Sequence, residues 1–198
     1  MSDDNGIRQY QNPDGSVVIQ DGVHGNDIHV SNHYEDSLWN KALDLVGLDE
    51  YRDADGVTVS DATGQSFDVL GDDVRHLKIS GGAGDDTITV DENVQFDLTI
   101  DAGAGNDVVH GGAGNDSILG GDGSDELYGH DGKDRINANG ASSSGRGDSE
   151  SDTNLIDGGE GNDALFGNHG EDFVIGGGGI DSASVDIGDA VGSCESVR

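Results

Sequence analysis

Aspartate recurs at fixed places in this chain, at Asp86, Asp107, Asp116, Asp125, Asp134, Asp163, Asp172 and Asp181, and two residues before each stands a glycine. Two residues after each stands an aliphatic side chain: Ile88, Val109, Ile118, Leu127, Ile136, Leu165, Val174 and Ala183. Residues 111–119, Gly-Gly-Ala-Gly-Asn-Asp-Ser-Ile-Leu, are the clearest unit. The carboxylate supplies formal negative charge, and glycine takes the positive φ values that turn backbone carbonyls toward one point. Calcium takes six to eight oxygens at about 2.3 to 2.6 Å, so the chemistry this pattern suits is calcium capture by a turn.

The units start at Gly81, Ala102, Gly111, Gly120, Gly129, Gly158, Gly167 and Gly176, and their period is nine residues. Low-complexity drift would not hold glycine, aspartate and an aliphatic in phase at positions 4, 6 and 8, which excludes a disordered linker. One unit has too little apolar bulk to fold alone, so order is expected to arrive with the ion. The strand after each turn can point only its central side chain inward. The position-8 residues are therefore expected to form a thin stack between two short parallel sheets, with two nonapeptides per coil. The fold class that follows is all-β, a parallel β-solenoid.

Upstream, Phe67 to Leu70, His76 to Ser80, Thr87 to Val90 and Phe96 to Ile100 read as solenoid strands without the full ion loop, with Asp91 to Gln95 as an ordinary turn. The solenoid is thus expected to reach back to about residue 55, with 56–101 as coils lacking most ion loops and 102–184 as the calcium-binding roll. Residues 138–157, rich in Ser and Gly, are expected to loop out of that roll. Residues 1–55 read as an N-terminal cap. Ser16 to Gln20 is a strand, Asp21 to Asp27 is half a repeat with His29 where the aliphatic should be, and Ser37 to Val46 has helical spacing with Gly47 as its stop. Residues 185–198 are expected to add a strand and cap the far end.

Forty-one Asp plus Glu against nine Lys plus Arg give a net charge of -32, which argues against nucleic acid or an anionic membrane surface as partner. Divalent cations are the natural counter-charge. Thirty-five glycines and 5% aromatics exclude a large globular core in 198 residues. The single cysteine, Cys194, excludes an internal disulfide and reads as a packing residue. Met1-Ser2-Asp3-Asp4 lacks the basic and apolar parts of a secretory signal, so export is expected by another route.

In these repeats the chain resembles the RTX (repeats-in-toxin) family of bacterial proteins, whose unit is Gly-Gly-x-Gly-x-Asp-x-aliphatic-x. The resemblance implies a right-handed parallel β-roll, secretion or cell-surface display, and about four to six calcium ions lying between turns stacked one coil apart. It implies that each ion is held by two position-6 carboxylates, the carbonyls of positions 2 and 4 of one turn, and those of positions 1 and 3 of the next. Asp107 and Asp125 then share an ion with Gly103, Gly105, Gly120 and Asp122; Asp116 and Asp134 with Gly112, Gly114, Gly129 and Asp131; Asp163 and Asp181 with Gly159, Gly161, Gly176 and Gly178. Three further sites follow if the insertions loop out cleanly. They pair Asp86 with Asp107 (Gly82, Gly84, Ala102, Ala104), Asp125 with Asp163 (Gly121, Gly123, Gly158, Glu160) and Asp134 with Asp172 (Gly132, Gly167, His169). His130 and Asn168 replace the position-2 glycine and put its positive φ in question.

Other motifs carry less. Asp53-Ala54-Asp55-Gly56 resembles part of an EF-hand loop, but Tyr51 and Ala62 stand where carboxylates are needed. His24, His29 and His33 lack the carboxylate or cysteine pattern of a transition-metal site. No Gly-x-Ser-x-Gly or His-Glu-x-x-His occurs, and catalysis is not expected. Position 3 carries no threonine rank, which argues against ice binding. Gly145-Arg146-Gly147-Asp148-Ser149 looks like the integrin-recognition tripeptide in its usual context. Two functions follow: a calcium-dependent structural or secretion-assisting module, or an adhesion protein whose Arg146-Gly147-Asp148 loop meets a cell-surface receptor.

Overall fold

The computed structural model describes residues 8–11, 17–20, 27–32, 57–61, 66–69, 76–92, 94–139 and 152–198. One nine-stranded sheet runs in the order β1 (Arg8–Gln11), β2 (Val17–Gln20), β6 (His76–Ala83), β8 (Asp97–Ala104), β10 (Ser117–Asp122), β12 (Arg135–Asn139), β14 (Ala164–Phe166), β16 (Ser182–Ser184), β18 (Ser196–Val197). The other, also nine-stranded, runs β17 (Ala190–Gly192), β15 (Phe173–Gly179), β13 (Leu155–Gly161), β11 (Glu126–Gly132), β9 (Val108–Gly112), β7 (Thr87–Val90), β3 (Asp27–Asn32), β4 (Val57–Asp61), β5 (Ser66–Val69). From β6 onward successive strands alternate between the sheets, and each pairs in parallel with the strand one coil away. The molecule is an all-β parallel solenoid of about six turns, with no helix among the described residues.

Nine residues carry the chain from one sheet to the other, so position 8 always returns to the inside. Ile88, Val109, Leu127, Ile156 and Val174 line one sheet, and Ile118, Ile136, Leu165 and Ala183 the other; none is more than 3% exposed. Parallel register sets each directly over its counterpart, as Ile118 over Ile136 and Leu127 over Ile156. Because this stack is one side chain thick, each member touches every neighbour the core has locally. Ile136→Ala is expected to cost about 2 to 5 kcal/mol in chemical denaturation at saturating calcium. Truncating the fully exposed Ile187 should stay within about 0.5 kcal/mol.

Four expectations are corrected by the strand pairing. The half-repeat near residue 27 is shifted by one: it is Ile28 that stands in register with Ile88, and Ile28 is buried. Residues 17–20 and 27–32 also belong to the solenoid, since β2 and β3 pair in parallel with β6 and β7. The solenoid strand expected at Phe67 to Leu70 is instead part of an antiparallel meander, β3 to β4 to β5, at the sheet edge. Alternating side chains specify a half-buried strand but not its direction.

The fourth correction concerns the interruption at 138–157. Ala138 is fully buried at the end of β12, and Asn154 is buried just before β13, so both flanks lie within the array. Asp91 to Gln95 does contain a turn, with the Val94 amide donating to the Asp91 carbonyl at 2.9 Å. At the C-terminal end β17 and β18 extend both sheets, and Cys194 packs partly buried against the core. The helix expected over Ser37 to Val46, the tripeptide at 146–148, and His24 and His33 lie outside the described residues.

Candidate calcium site

Positions 6 and 8 share a face of the strand, so each aspartate enters the interior beside an aliphatic residue. All eight are at most 2% exposed. In Asp107, Asp116, Asp125, Asp134, Asp163, Asp172 and Asp181 one oxygen, Oδ1, is used for structure: it accepts the backbone amide of the residue one coil earlier. The Asp107 amide donates to Asp125 at 2.9 Å, Asp116 to Asp134 at 2.8 Å, and Asp163 to Asp181 at 2.9 Å. Charge-assisted bonds of this kind hold the carboxylates in two continuous rows.

One row reads Asp86, Asp107, Asp125, Asn154, Asp172, Asp189; the other reads Asp116, Asp134, Asp163, Asp181, Glu195. The structure therefore sets Asp86 beside Asp107, Asp107 beside Asp125, Asp116 beside Asp134, and Asp163 beside Asp181. It does not set Asp125 beside Asp163 or Asp134 beside Asp172. Asp125 faces Asn154, and Asp134 faces Asp163, because β11 pairs with β13 and β12 with β14.

The reason is a ninth repeat split by the excursion. Ala138 and Asn139 fill its first two places, Asn139 in register with Gly121, and residues 152–157 supply positions 4 to 9, with Asn154 at position 6 and Ile156 at position 8. Inserting chain inside the turn, rather than between turns, changes which row each later aspartate joins. The Asn154 side-chain amide donates to Asp172 Oδ1 at 3.0 Å, so a neutral group stands where a carboxylate is the rule. Asp189 and Glu195 were also illegible as row members: neither follows a glycine two residues earlier, and only the aliphatic two places on, Val191 and Val197, marks them.

A second ladder runs through position 5. Asp85, Asp97, Asn106, Asn115 and Asn162 accept backbone amides one coil later, as from Asn115 to Asp97 at 2.9 Å and from Lys133 to Asn115 at 3.0 Å. The recurrence of Asn and Asp before the position-6 aspartate is its sequence signal.

The remaining oxygens test whether a cation fits. Oδ2 of Asp107, Asp116, Asp134, Asp163 and Asp181 is buried and accepts no hydrogen bond. Beside it lies the space left by a missing side chain: a Cβ on Gly111 would stand 2.7 Å from both Asp116 Oδ2 and the Gly129 carbonyl oxygen. On Gly158 it would stand 2.5 Å from Asp163 Oδ2 and 2.6 Å from the Gly176 carbonyl oxygen. Carbonyls of positions 2 and 4 also crowd the next coil, Gly103 against Gly121 and Gly105 against Gly123. His130 and Asn168 keep the left-handed backbone of the glycines they replace, at φ 72° and 70°. Among the described residues no three His, Cys, Asp or Glu side chains converge as a metal cluster, so a cation here must draw on these carbonyls. Orphaned anionic oxygens facing backbone carbonyls are the donor set of a hard ion such as calcium.

Burial pushes these carboxyls up: Asp107 to about 6, and Asp116 and Asp134 to about 7, from an ordinary 3.8. Neighbouring negative charge adds to the effect, from Asp116, Asp163 and Asp131 around Asp134. Asp163 is raised by the same causes, with Asp181 and Asp157 as its charged neighbours. A carboxyl whose folded pKa exceeds its unfolded one stabilises the fold below the unfolded value and loses that contribution as pH rises through the folded value. The calcium-free protein is therefore expected to gain β-sheet circular dichroism on acidification from about pH 8 to about pH 5. A signal that stays flat or falls would count against these carboxylates being buried together without a cation.

A family model for the RTX calcium-binding nonapeptide repeat matches the chain in four copies, over residues 78–92, 99–127, 110–142 and 148–183. No curated protein and no solved structure matches the chain. Stacked glycine turns over buried carboxylate rows define a cation-binding repeat solenoid. Over the matched residues the chain carries RTX calcium-binding nonapeptide repeats.

Proposed function

We propose that this chain is a calcium-dependent structural module that becomes ordered outside the cytosol, and that the transition assists its secretion. The observation that carries the reading is the set of buried Oδ2 atoms of Asp107, Asp116, Asp134, Asp163 and Asp181. RTX repeats bind calcium, and proteins that carry them are generally secreted or extracellular.

Calcium, when bound, supplies the positive charge that lets facing carboxylates remain ionised at close range. Asp107 and Asp125 hold it with the carbonyls of Gly103, Gly105, Gly120 and Asp122. Asp116 and Asp134 do so with Gly112, Gly114, Gly129 and Asp131, and Asp163 and Asp181 with Gly159, Gly161, Gly176 and Gly178. Asp86 and Asp107 form a further pair over Gly82, Gly84, Ala102 and Ala104. Asp134 and Asp163 face each other in the place once expected for Asp134 and Asp172, and share Gly132, Gly158 and Glu160. The count remains about four to six ions, in a right-handed roll.

In a cytosol poor in calcium the self-repelling chain stays extended and exportable; outside, mass action draws it into the solenoid. A calcium titration followed by far-ultraviolet circular dichroism tests this. The transition is expected between about 0.1 and 1 mM, the range of extracellular modules. A midpoint near or below a micromolar would assign the chain to cytosolic sensing or buffering instead.

A further inference from the structure

Three ring side chains gather on the outer surface of the sheet that holds β9 and β11, one of them, His130, at position 2 of the turn that leads to Asp134. His110 belongs to β9, Tyr128 and His130 to β11, and register sets Tyr128 opposite His110. The two imidazoles meet with His110 Nδ1 3.0 Å from His130 Nε2. His110 also stacks on Tyr128, with centroids 4.7 Å apart and planes 5° from parallel, and the Tyr128 hydroxyl donates to Glu126 at 3.3 Å. One imidazole is thus fixed by a ring that is itself tethered.

His130 is fixed by its backbone. It holds φ 72° at the position where six of the eight recognised repeats place glycine. A non-glycine residue there is strained, and strain of this kind concentrates where a side chain has a task.

We propose that His110 and His130 form a two-imidazole site for a divalent transition ion of the copper(II) or nickel(II) class, on the outer face of the solenoid. Two nitrogen ligands at right angles on an ion, with bonds of about 2.1 Å, stand about 3.0 Å apart; tetrahedral ligands of zinc would stand about 3.4 Å apart. The observed separation is that of a hydrogen bond between the rings, and an ion with right-angled ligands would replace that bond without spreading them. Each ring presents its facing nitrogen to the ion and keeps its proton on the other, so binding is a tautomer choice that releases no proton from a neutral pair. Asp91 and Glu92 line the groove that His110 and His130 share, and their charge favours a dication there. No third His, Cys, Asp or Glu converges on the pair among the described residues, so water completes the coordination.

Electron paramagnetic resonance of the full chain, with saturating calcium and one equivalent of copper(II), tests the site. The spectrum is expected to show coupling to two nitrogens. His110→Phe, which keeps the stack on Tyr128, should retain the calcium-dependent circular dichroism, lose one nitrogen coupling, and weaken copper binding on the order of tenfold or more. His130→Gly, which suits the backbone at that position, should lose the other. Oxygen-only coordination in the parent, or nitrogen couplings unchanged in both variants, would overturn the proposal.

Discussion

Chelating calcium is expected to expand the whole chain, with its radius of gyration rising from somewhat above the ~16 Å of a compact protein of this length toward ~48 Å. The size of the effect follows from how little else holds the fold. The core is a stack one aliphatic residue thick, and the net charge of -32 opposes any compact form. Each ion site held at a hundred times its dissociation constant adds about 2.7 kcal/mol, and four such sites give about 11 kcal/mol. A typical domain has about 5 to 15 kcal/mol in all, so removing the ions removes the margin. Small-angle scattering before and after chelation measures this. An unchanged radius would mean that the solenoid stands on its aliphatic stack alone.

The second large effect is expected from a single methyl group. Gly158→Ala places its Cβ 2.5 Å from Asp163 Oδ2 and 2.6 Å from the Gly176 carbonyl oxygen, inside the cradle that those oxygens line. Gly158 needs no positive φ, so the effect is occupation of the cradle and not backbone strain. Overpacking of this kind costs about 1 to 3 kcal/mol. Calcium affinity at the affected site should fall on the order of tenfold or more, as when a support of a metal ligand is lost. Gly192→Ala is the control: nothing lies within 4 Å of a Cβ there, and the change should stay within about 0.5 kcal/mol. Isothermal titration calorimetry of both variants separates them. Equal calcium binding by Gly158→Ala and the parent would show that the cradle is not where the ion goes.

Much of this architecture was legible because it is periodic. The inward march of Ile118, Leu127 and Ile136 follows from one rule, that nine residues cross from sheet to sheet, and the same rule buries Asp116, Asp125 and Asp134. Where the period breaks, the reading broke with it. The excursion opens inside a turn, so the half-repeat ending at Asn154 has no glycine to announce it, and the rows beyond it were mispaired. Asp189 and Glu195 escaped for the same reason. The antiparallel pairing of β4 and β5 was out of reach because an alternating strand encodes its face and not its direction. The meeting of His110 and His130, 20 residues apart, depends on register and on a left-handed histidine, and neither can be read from spacing alone.

The most direct measurement is anomalous diffraction from crystals grown in abundant calcium. The account predicts peaks between Asp107 and Asp125, Asp116 and Asp134, Asp134 and Asp163, and Asp163 and Asp181, each with backbone carbonyls at about 2.3 to 2.6 Å. Those four positions without an anomalous peak, or filled by water alone, would contradict it.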